Sequence, residues 1–309
     1  MIVLRAIFAL ATFVACALPA TAQVPVDRPS DNAAVPGNAL DGTLKKIRES
    51  GVIKLGYREA SFPFSYIADG KPLGYSIDLC RSVVDEIVRE IDSPTTRIDF
   101  VKVTSEDRLD AVSSSKVDLE CGSTTSNTDR AKQVAFSPVI FVAGTKLMVK
   151  RDSAVRSFRD LGGKIVVVTA GTTNEQVMKG LNEKFKIGMT VISARDHGES
   201  FGLVASGKAD AFATDDVLLY GFIARNKAEK DMVVVGDFLS YDPYGLMFRK
   251  DDSQMASAVR TSFERLAANR DLSELYHRWF QRRLPTGEDL ELAMSPQLAE
   301  IFRTMGMQD

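Results

Sequence analysis

The amino-acid sequence predicts an α/β protein with two lobes, each a mostly parallel sheet flanked by helices. Short apolar strands alternate with amphipathic helical segments between residues 52 and 122, and the same alternation restarts near residue 162. Such alternation is typical of parallel sheets that carry helices on both faces. A length of 309 residues is sufficient for two domains of this kind.

In the first lobe, a helix DGTLKKIRESG ends at Gly51 and is followed by the strands VIKLGY, RIDFVKV and VDLECG. The helices YSIDLCRSVVDEIVREI and SEDRLDAVSSSK separate these strands. Helical spacing predicts one buried face on the longer helix. Its members are Ile77, Cys80, Val84, Ile87 and Ile91.

In the second lobe, the strands KIVVVT, MTVISA and ADAFATD alternate with two further helical segments. The extended stretches FSPVIFVAGTKLMVK and YDPYGLMFRK predict two strands that cross between the lobes. We therefore expect residues 41–139 and 245–309 to form the first lobe, with a helical tail in the second of these parts. Residues 140–244 would form the second lobe.

The first 22 residues have the pattern of a secretory signal peptide, with Arg5, an apolar run and the small residues Ala20-Thr21-Ala22. Cleavage after Ala22 is favoured over lipid attachment at Cys16. Residues 23–40 are rich in Pro, Asn and Ala and predict a disordered leader. In an exported chain, Cys80 and Cys121 form either one disulfide or two free buried thiols, and the sequence leaves both open.

Composition excludes some functions and gives catalysis little support. A net charge of −2 and a pI of about 5.9 do not favour nucleic acid or an anionic membrane surface. Only two histidines occur, and His277 lies among aromatic residues in a predicted helix. Neither a metal-ligand spacing of Cys and His nor a phosphate-binding glycine loop is found in the sequence. We therefore expect no metal, no cofactor and no enzyme activity.

Polar side chains cluster where the predicted strands end, most clearly in the hydroxyl-rich stretch LECGSTTSNTDR at 119–130. The candidate ligand-binding residues are Arg58, Ser105, Arg108, Ser123, Thr125, Arg130, Thr173, His197 and Asp215. Open α/β sheets bind ligands at the carboxyl ends of their strands, and arginine forks match carboxylates. Three arginines and a histidine against one acid indicate an anionic ligand. The alternative for each arginine is a solvated surface charge, and for the stretch 119–130 a long capping loop.

The motifs GVIKLGYREASFPFSY, GYSIDLC, ECGSTTSNTDR, VVVTAGTT, ISARDHGESF and YGLMFRKDD occur in this order. With them the chain resembles the periplasmic glutamate/aspartate-binding proteins of ABC importers, within the family 3 extracellular solute-binding proteins. The resemblance runs from about residue 42 to about residue 305. It implies the two-lobe periplasmic-binding-protein fold, a periplasmic location, closure of the lobes over L-glutamate or L-aspartate, and docking to a membrane permease.

The resemblance also implies roles for residues at the amino-acid end of the ligand. Arg130, Thr125 and Thr173 would bind the α-carboxylate. Asp215 and the region of Ser123 would bind the α-ammonium. A zwitterionic amino acid needs one cation and one acid of this kind.

The side-chain carboxylate would be surrounded by Arg58, Ser105, Arg108 and His197. Without a second anion on the ligand, these extra buried cations would destabilise the site by several kcal/mol. A protonated His197 would add a donor pair, so we expect glutamate affinity to fall as the pH rises through the pKa of this ring.

Two other functions use the same scaffold. A small-acid enzyme similar to a dehydratase would need a general acid or base at the ligand, and Glu120 is the nearby glutamate, although its strand position predicts burial in an internal pair. A ligand-sensing module would signal to a membrane partner, and the sequence contains no effector domain for it. A receptor that opens and closes is most simply a monomer.

Overall fold

A computed structural model of the chain describes residues 39–284 and 286–307. The described residues from Leu40 onward belong to one compact unit. The expected signal peptide, Cys16 and residues 23–38 of the expected leader lie outside the described residues.

The helices have the following bounds: α1 (Gly42–Ser50), α2 (Tyr75–Glu90), α3 (Arg108–Ser113), α4 (Thr173–Phe185), α5 (His197–Ala205), α6 (Asp216–Arg225), α7 (Ser253–Ala268), α8 (Asp271–Tyr276) and α9 (Pro296–Thr304). Short 3₁₀ helices occupy Arg130–Lys132 and Phe158–Leu161, and a π-helical turn spans His277–Gln281. In the described ranges, the helices lack the length and apolar character that crossing a membrane requires.

The strands have the following bounds: β1 (Val52–Tyr57), β2 (Ala60–Ser61), β3 (Ser65–Ala68), β4 (Lys71–Leu73), β5 (Arg97–Lys102), β6 (Leu119–Glu120), β7 (Val134–Phe136), β8 (Phe141–Ala143), β9 (Thr145–Lys150), β10 (Ile165–Thr169), β11 (Thr190–Ala194), β12 (Ala211–Asp215), β13 (Met232–Val235), β14 (Asp242–Tyr244) and β15 (Met247–Arg249).

Two five-stranded sheets carry the two lobes, in the orders β5-β1-β6-β15-β7 and β11-β10-β12-β9-β13. In each sheet the first three strands pair in parallel, and the fourth is antiparallel to both of its neighbours. Four strands of each sheet therefore point the same way. The predicted α/β class with mostly parallel sheets flanked by helices is confirmed.

The single reversed strand in each sheet follows directly from the crossing between lobes. Strands β8 and β14 pair antiparallel and form a two-stranded connection. Strand β9 follows β8, and β15 follows β14. Each of these strands enters its sheet at the edge where the parallel strands end, so it must run in the opposite direction. The crossing strands consequently border the edge at which parallel sheets bind ligands.

The apolar core of the first sheet also holds the helical tail. Phe263, Phe280 and Phe302 belong to the same buried cluster as Leu55 of β1 and Leu119 of β6. The five residues predicted for one face of α2 are all buried, with at most 4% of any of them exposed. The boundaries assigned to the lobes at residues 139/140 and 244/245 stay a prediction.

Aromatic rings attach the crossing strands to the first lobe. Phe64 lies 5.1 Å, between ring centroids, from both Phe141 of β8 and Tyr244 of β14. Phe280 lies 4.9 Å from Phe141. Aromatic pairs at these separations contribute about 0.5–1.5 kcal/mol each beyond their buried area.

Some elements were not predicted from the sequence. Strands β2, β3 and β4 form a separate antiparallel sheet, and each has at most four residues, which is too short for a clear alternation of side chains. Helix α6 reads DVLLYGFIAR and buries residues all around its circumference. It therefore lacks the polar stripe by which a surface helix is detected.

Cys80 of α2 and Cys121 at the end of β6 form a disulfide in the structure. Both side chains are fully buried, and 41 residues separate them in sequence. The bond joins α2 to the residue that precedes the hydroxyl-rich loop at 122–130. Ser76 of the same helix donates a hydrogen bond to the carbonyl oxygen of Gly122 at 2.8 Å, so this loop is attached to α2 at two points.

We predict that reducing the disulfide lowers the free energy of unfolding by about 2–4 kcal/mol, because the cross-link restricts the unfolded chain. Urea unfolding with and without dithiothreitol measures the difference. The Cys80→Ala/Cys121→Ala variant is the control and should not respond to the reductant. A wild-type protein equally insensitive to the reductant would indicate that the two thiols are free.

Candidate functional site

The predicted site residues follow the carboxyl ends of the parallel strands in both sheets. In the first lobe, Arg58 follows β1, Ser105 and Arg108 follow β5, and the loop at 122–130 follows β6. In the second lobe, Thr173 begins α4 after β10, His197 begins α5 after β11, and Asp215 ends β12. The two sets of strand ends face each other across one cleft.

Arg58 is 3% exposed and lies at one end of this cleft. Its Nη2 donates a hydrogen bond to Oγ of Ser105 at 2.6 Å. Its Nη1 is buried and has no hydrogen-bond partner among the described residues. A cavity of about 290 Å³ opens beside it, lined by residues of both lobes that include Lys102 and Asp196.

Arg108 is held by the hydroxyl-rich loop. Its Nη1 donates to Oγ1 of Thr124 at 2.7 Å, and Thr124 in turn donates to Oε2 of Glu120 at 2.8 Å. Glu120 is fully buried. Within the described part of the chain, Nε of Arg108, Oγ of Ser123 and Oε1 of Glu120 are buried without a hydrogen-bond partner. The guanidinium group of Arg108 and the hydroxyl of Ser123 therefore each have a buried donor that a ligand could engage.

Gly122 leaves room for the side chains of Arg58 and Glu120 to lie close to the backbone of this loop. A β-carbon at this position would collide with Oε1 of Glu120 and would lie 3.0 Å from Cγ of Arg58. Any larger residue would therefore push Arg58 away from the strand end. This is the reason for a glycine between the buried strand and the hydroxyl-rich loop.

Arg130 connects the two lobes. Its Nη1 donates to the carbonyl oxygen of Thr125 at 2.8 Å, and its Nη2 donates to that of Gly171 at 3.3 Å. The hydroxyl oxygens of Thr125 and Thr173 lie 3.3 Å apart. The first of these threonines belongs to the loop after β6 and the second to the start of α4, so this loop touches the second lobe directly.

Burial lowers the pKa of all three guanidinium groups. Burial, and then the positive charge of Arg108, lower the pKa of Arg58 and of Arg130 from 12.5 to about 9. Burial also lowers the pKa of Arg108, whereas Glu120 opposes that shift. With pKa values of about 9, Arg58 and Arg130 stay cationic at neutral pH. An anion placed among them would reverse the unfavourable interaction.

Asp215 is 3% exposed and lies at the other end of the cleft. It accepts hydrogen bonds from Nδ2 of Asn174 at 2.8 Å and from the hydroxyl of Tyr244. Burial, and then the nearby charge of Asp242, raise its pKa to about 7. A cation beside this carboxylate would lower the pKa again.

His197 is buried, and its Nδ1 lies 2.8 Å from Oγ1 of Thr169. Thr169 lies 2.9 Å from Oγ of Ser200, which donates to the carbonyl oxygen of Asp196. Because Ser200 uses its hydroxyl proton for that bond, it accepts the hydroxyl proton of Thr169. Thr169 can then only accept from His197, so Nδ1 of the histidine carries its hydrogen.

The surroundings of His197 determine its protonation. Burial, followed by the charges of Arg58 and Arg108, lowers the pKa of this ring well below 6.5. The ring is therefore neutral at neutral pH in this structure, and the fall of glutamate affinity with rising pH stays a prediction. Only a nearby anion would restore the second donor.

All nine predicted site residues lie along this one cleft. The sequence did not identify Thr124, Asn174, Asp242 and Tyr244, which hold the predicted residues in place. A signal existed for Thr124, which belongs to the hydroxyl-rich loop, and for Asn174, which follows Thr173 at a helix start. Clusters of three or more His, Cys, Asp or Glu side chains suited to a metal ion are absent from the described residues.

The sequence profile of the bacterial extracellular solute-binding proteins, family 3, matches residues 53–282. The chain is 44% identical over 274 residues to an L-glutamate/L-aspartate-binding protein of Pseudomonas aeruginosa, covering 88% of this chain and 91% of that protein. It is 38% identical over 267 residues to a glutamate/aspartate import solute-binding protein of Salmonella typhimurium. That match covers 86% of this chain and 88% of the Salmonella protein.

A solved structure shares the architecture. The crystal structure of an ancestral amino acid-binding protein, described as a precursor of cyclohexadienyl dehydratase, superposes with a TM-score of 0.66 at 28% identity. The match covers 77% of this chain and 99% of that one.

We predict that Gly171→Ala prevents the lobes from meeting as they do in this structure. Gly171 has a φ of +74°, and a β-carbon there would lie 2.8 Å from Cα of Glu106 and from the carbonyl oxygen of Ser105, in the opposite lobe. The matched control is Gly188→Ala, because Gly188 has a φ of +76° and open space around it.

Small-angle X-ray scattering measures the radius of gyration of wild type and of both variants. The comparison is made under the conditions that give wild type its smallest radius. Gly171→Ala should have the larger radius of gyration, whereas Gly188→Ala should match wild type. Equal radii for all three would show that the contact of Gly171 with Ser105 and Glu106 does not limit closure.

Proposed function

The chain belongs to the bacterial extracellular solute-binding proteins of family 3, and on this premise we propose that it is the substrate-binding component of an ABC amino-acid importer that binds L-glutamate and L-aspartate. The observation that carries the proposal is the burial of three guanidinium groups and the carboxylate of Asp215 along one cleft. Relatives with 44% and 38% identity bear the names of glutamate/aspartate-binding proteins, which supports the choice of ligand.

We assign the α-carboxylate of the ligand to Arg130, Thr125 and Thr173, where the two lobes meet. The α-ammonium is assigned to Asp215 and the region of Ser123, whose hydroxyl is buried without a hydrogen-bond partner among the described residues. A raised pKa at Asp215 fits this role, because an ammonium group would stabilise the ionised carboxylate.

The side-chain carboxylate is assigned to the end of the cleft with Arg58, Ser105, Arg108 and His197. Nη1 of Arg58 and Nε of Arg108 are buried donors without a partner in the described ranges. Leaving buried charges uncompensated is strongly destabilising, and a second carboxylate would satisfy both donors. The same anion would raise the pKa of His197 and turn its ring into a further donor.

Several further points belong to this proposal. The protein would act in the periplasm after removal of residues 1–22, bind as a monomer, close about β8 and β14, and deliver the amino acid to a membrane permease. Because bound ligand would contact both lobes, its binding free energy would favour the closed arrangement over the open one.

An enzyme of the dehydratase kind is the competing function, and the ancestral protein with the same fold is its motivation. Glu120, the candidate general acid or base, is fully buried, and its Oε2 accepts a hydrogen bond from Thr124, which also binds Arg108. This position favours a role as counter-ion to Arg108. Incubation with glutamate and mass spectrometry separate the functions, since a receptor returns the ligand unchanged and an enzyme yields a new mass.

We predict that Arg130→Ala removes measurable binding of both glutamate and aspartate. Truncating one partner of a buried, hydrogen-bonded ion pair costs about 3–5 kcal/mol, which is a loss of roughly a hundred- to several-thousand-fold in affinity. Isothermal titration calorimetry measures it. Lys132→Ala is the control, because its exposed side chain pairs with Asp129, and it should bind as wild type does. Near-normal binding by Arg130→Ala would exclude this residue from the site.

We predict that Arg108→Met narrows the preference for glutamate over glutamine by about 2–4 kcal/mol, since the loss of a buried charge affects a carboxylate far more than a neutral amide. Titrations of both ligands give the two affinities. The exposed Arg97 of β5 provides the control variant Arg97→Met, with both affinities unchanged. Equal losses for glutamate and glutamine in Arg108→Met would instead assign Arg108 to the α-carboxylate or to the fold.

A further inference from the structure

Asp242 is a second buried acid at the amino-acid end of the cleft. It lies on the crossing strand β14 and is 2% exposed. Its Oδ1 accepts a hydrogen bond from Oγ1 of Thr173 at 3.0 Å, and its Oδ2 accepts one from the hydroxyl of Ser240. Thr173 in turn lies 3.3 Å from the hydroxyl of Thr125. Asp242 thus connects the crossing strand to the point where the lobes meet.

The same strand also contacts Asp215. Residues two apart in a strand face the same side, and Tyr244, two residues after Asp242, donates its hydroxyl proton to Oδ2 of Asp215. Strand β14 therefore carries one carboxylate and holds a second.

The charges at this end are unequal. Burial and Arg108 lower the pKa of Arg130, whereas Asp215, Glu120 and Asp242 oppose that shift. The other charged or titratable groups that act on Asp215 are Tyr244, Asp216 and, from the far side of the cleft, Arg108. Two of these acids, Asp215 and Asp242, lie at the end of the cleft that holds Arg130 alone of the three arginines, so a positive charge on the ligand is favoured there and a negative one at the end with Arg58 and Arg108.

We propose that Asp242 is a specificity-determining positioning residue that makes the site require an α-ammonium group, by holding Thr173 in place and by adding a second negative charge beside Asp215. This inference rests on the proposed function. It concerns a class of competitors, the dicarboxylic acids without an amino group. Glutarate could place both of its carboxylates on the same arginines as glutamate does, so rejecting it requires a repulsive element at the ammonium position.

The test is Asp242→Asn, titrated with L-glutamate and with glutarate by calorimetry. An asparagine carbonyl can still accept the hydrogen bond from Thr173, so the variant mainly removes the charge. We expect glutamate affinity to fall at least about tenfold, which is about 1.4 kcal/mol, while glutarate binds equally well or more tightly. Equal losses for the two ligands, or no change for either, would overturn the inference.

Asp210→Asn is the control. Asp210 directly precedes β12, at the opposite end of the strand from Asp215, and its partly exposed side chain pairs with Lys164 at 3.6 Å, so the ratio of the two affinities should stay as in wild type. If the asparagine variant does not fold, Asp242→Ser removes the same charge with a smaller side chain. The same changes in glutamate and glutarate affinity are expected for it. Asp242→Glu retains the charge and should keep the preference for glutamate.

Proton release provides a readout that a purely structural role would not change. The ligand's ammonium should expel the proton from Asp215 near pH 7, where this carboxyl titrates. Without the charge of Asp242 the pKa of Asp215 falls, so fewer protons are released at pH 7. Calorimetry in two buffers of different ionisation enthalpy counts these protons, and any proton uptake by His197 is common to both proteins. Unchanged release would contradict the inference.

The outcomes separate the two proposals. A wild-type protein that binds neither glutamate nor aspartate contradicts the proposed function. A wild-type protein that binds glutamate, together with an Asp242→Asn variant of unchanged ligand ratio, contradicts only the role of Asp242.

Discussion

The burial of three arginines in one cleft is the constraint on which the rest of this structure depends. Arg58, Arg108 and Arg130 are each at most 8% exposed, and removing a guanidinium group from water is unfavourable unless other groups replace the lost hydration. The fold supplies those groups from the ends of its strands, as hydroxyls, carbonyl oxygens and the carboxylate of Glu120. Nη1 of Arg58 and Nε of Arg108 have no hydrogen-bond partner among the described residues, so these donors can bind an anion.

The hydroxyl-rich loop at 122–130 provides hydrogen-bond partners for the buried arginines. Thr124 accepts from Arg108 and donates to Glu120, which is a task for a hydroxyl, because it can be donor and acceptor at once. Thr125 offers its carbonyl oxygen to Arg130 and its hydroxyl to Thr173. A simple capping loop would need about two such side chains. The larger number reflects the number of charged groups that the loop must satisfy.

Much of this organisation could be predicted from the sequence, because strand and helix patterns place the polar residues at strand ends. The buried face of α2 and the alternation within each lobe were readable from side-chain periodicity. Asp242 was not, because a single acid in YDPYG has no distinguishing pattern, and its partner Thr173 comes from a distant part of the chain. The low pKa of His197 was equally hidden. It depends first on the burial of the ring and then on Arg58 and Arg108, which belong to the opposite lobe.

The crossing strands β8 and β14 connect the two lobes, and β14 also carries or holds the two carboxylates in the cleft. Any change in the angle between the lobes must pass through β8 and β14, the paired strands that lead from one sheet to the other. Strand β14 bears Asp242 and, through Tyr244, holds Asp215. Tyr244 also packs its ring against Phe64 in the core of the first lobe. A positive charge that settles between the two acids would therefore act on the segment about which the lobes turn. Recognition of the amino group and closure of the cleft would then depend on the same three-residue strand.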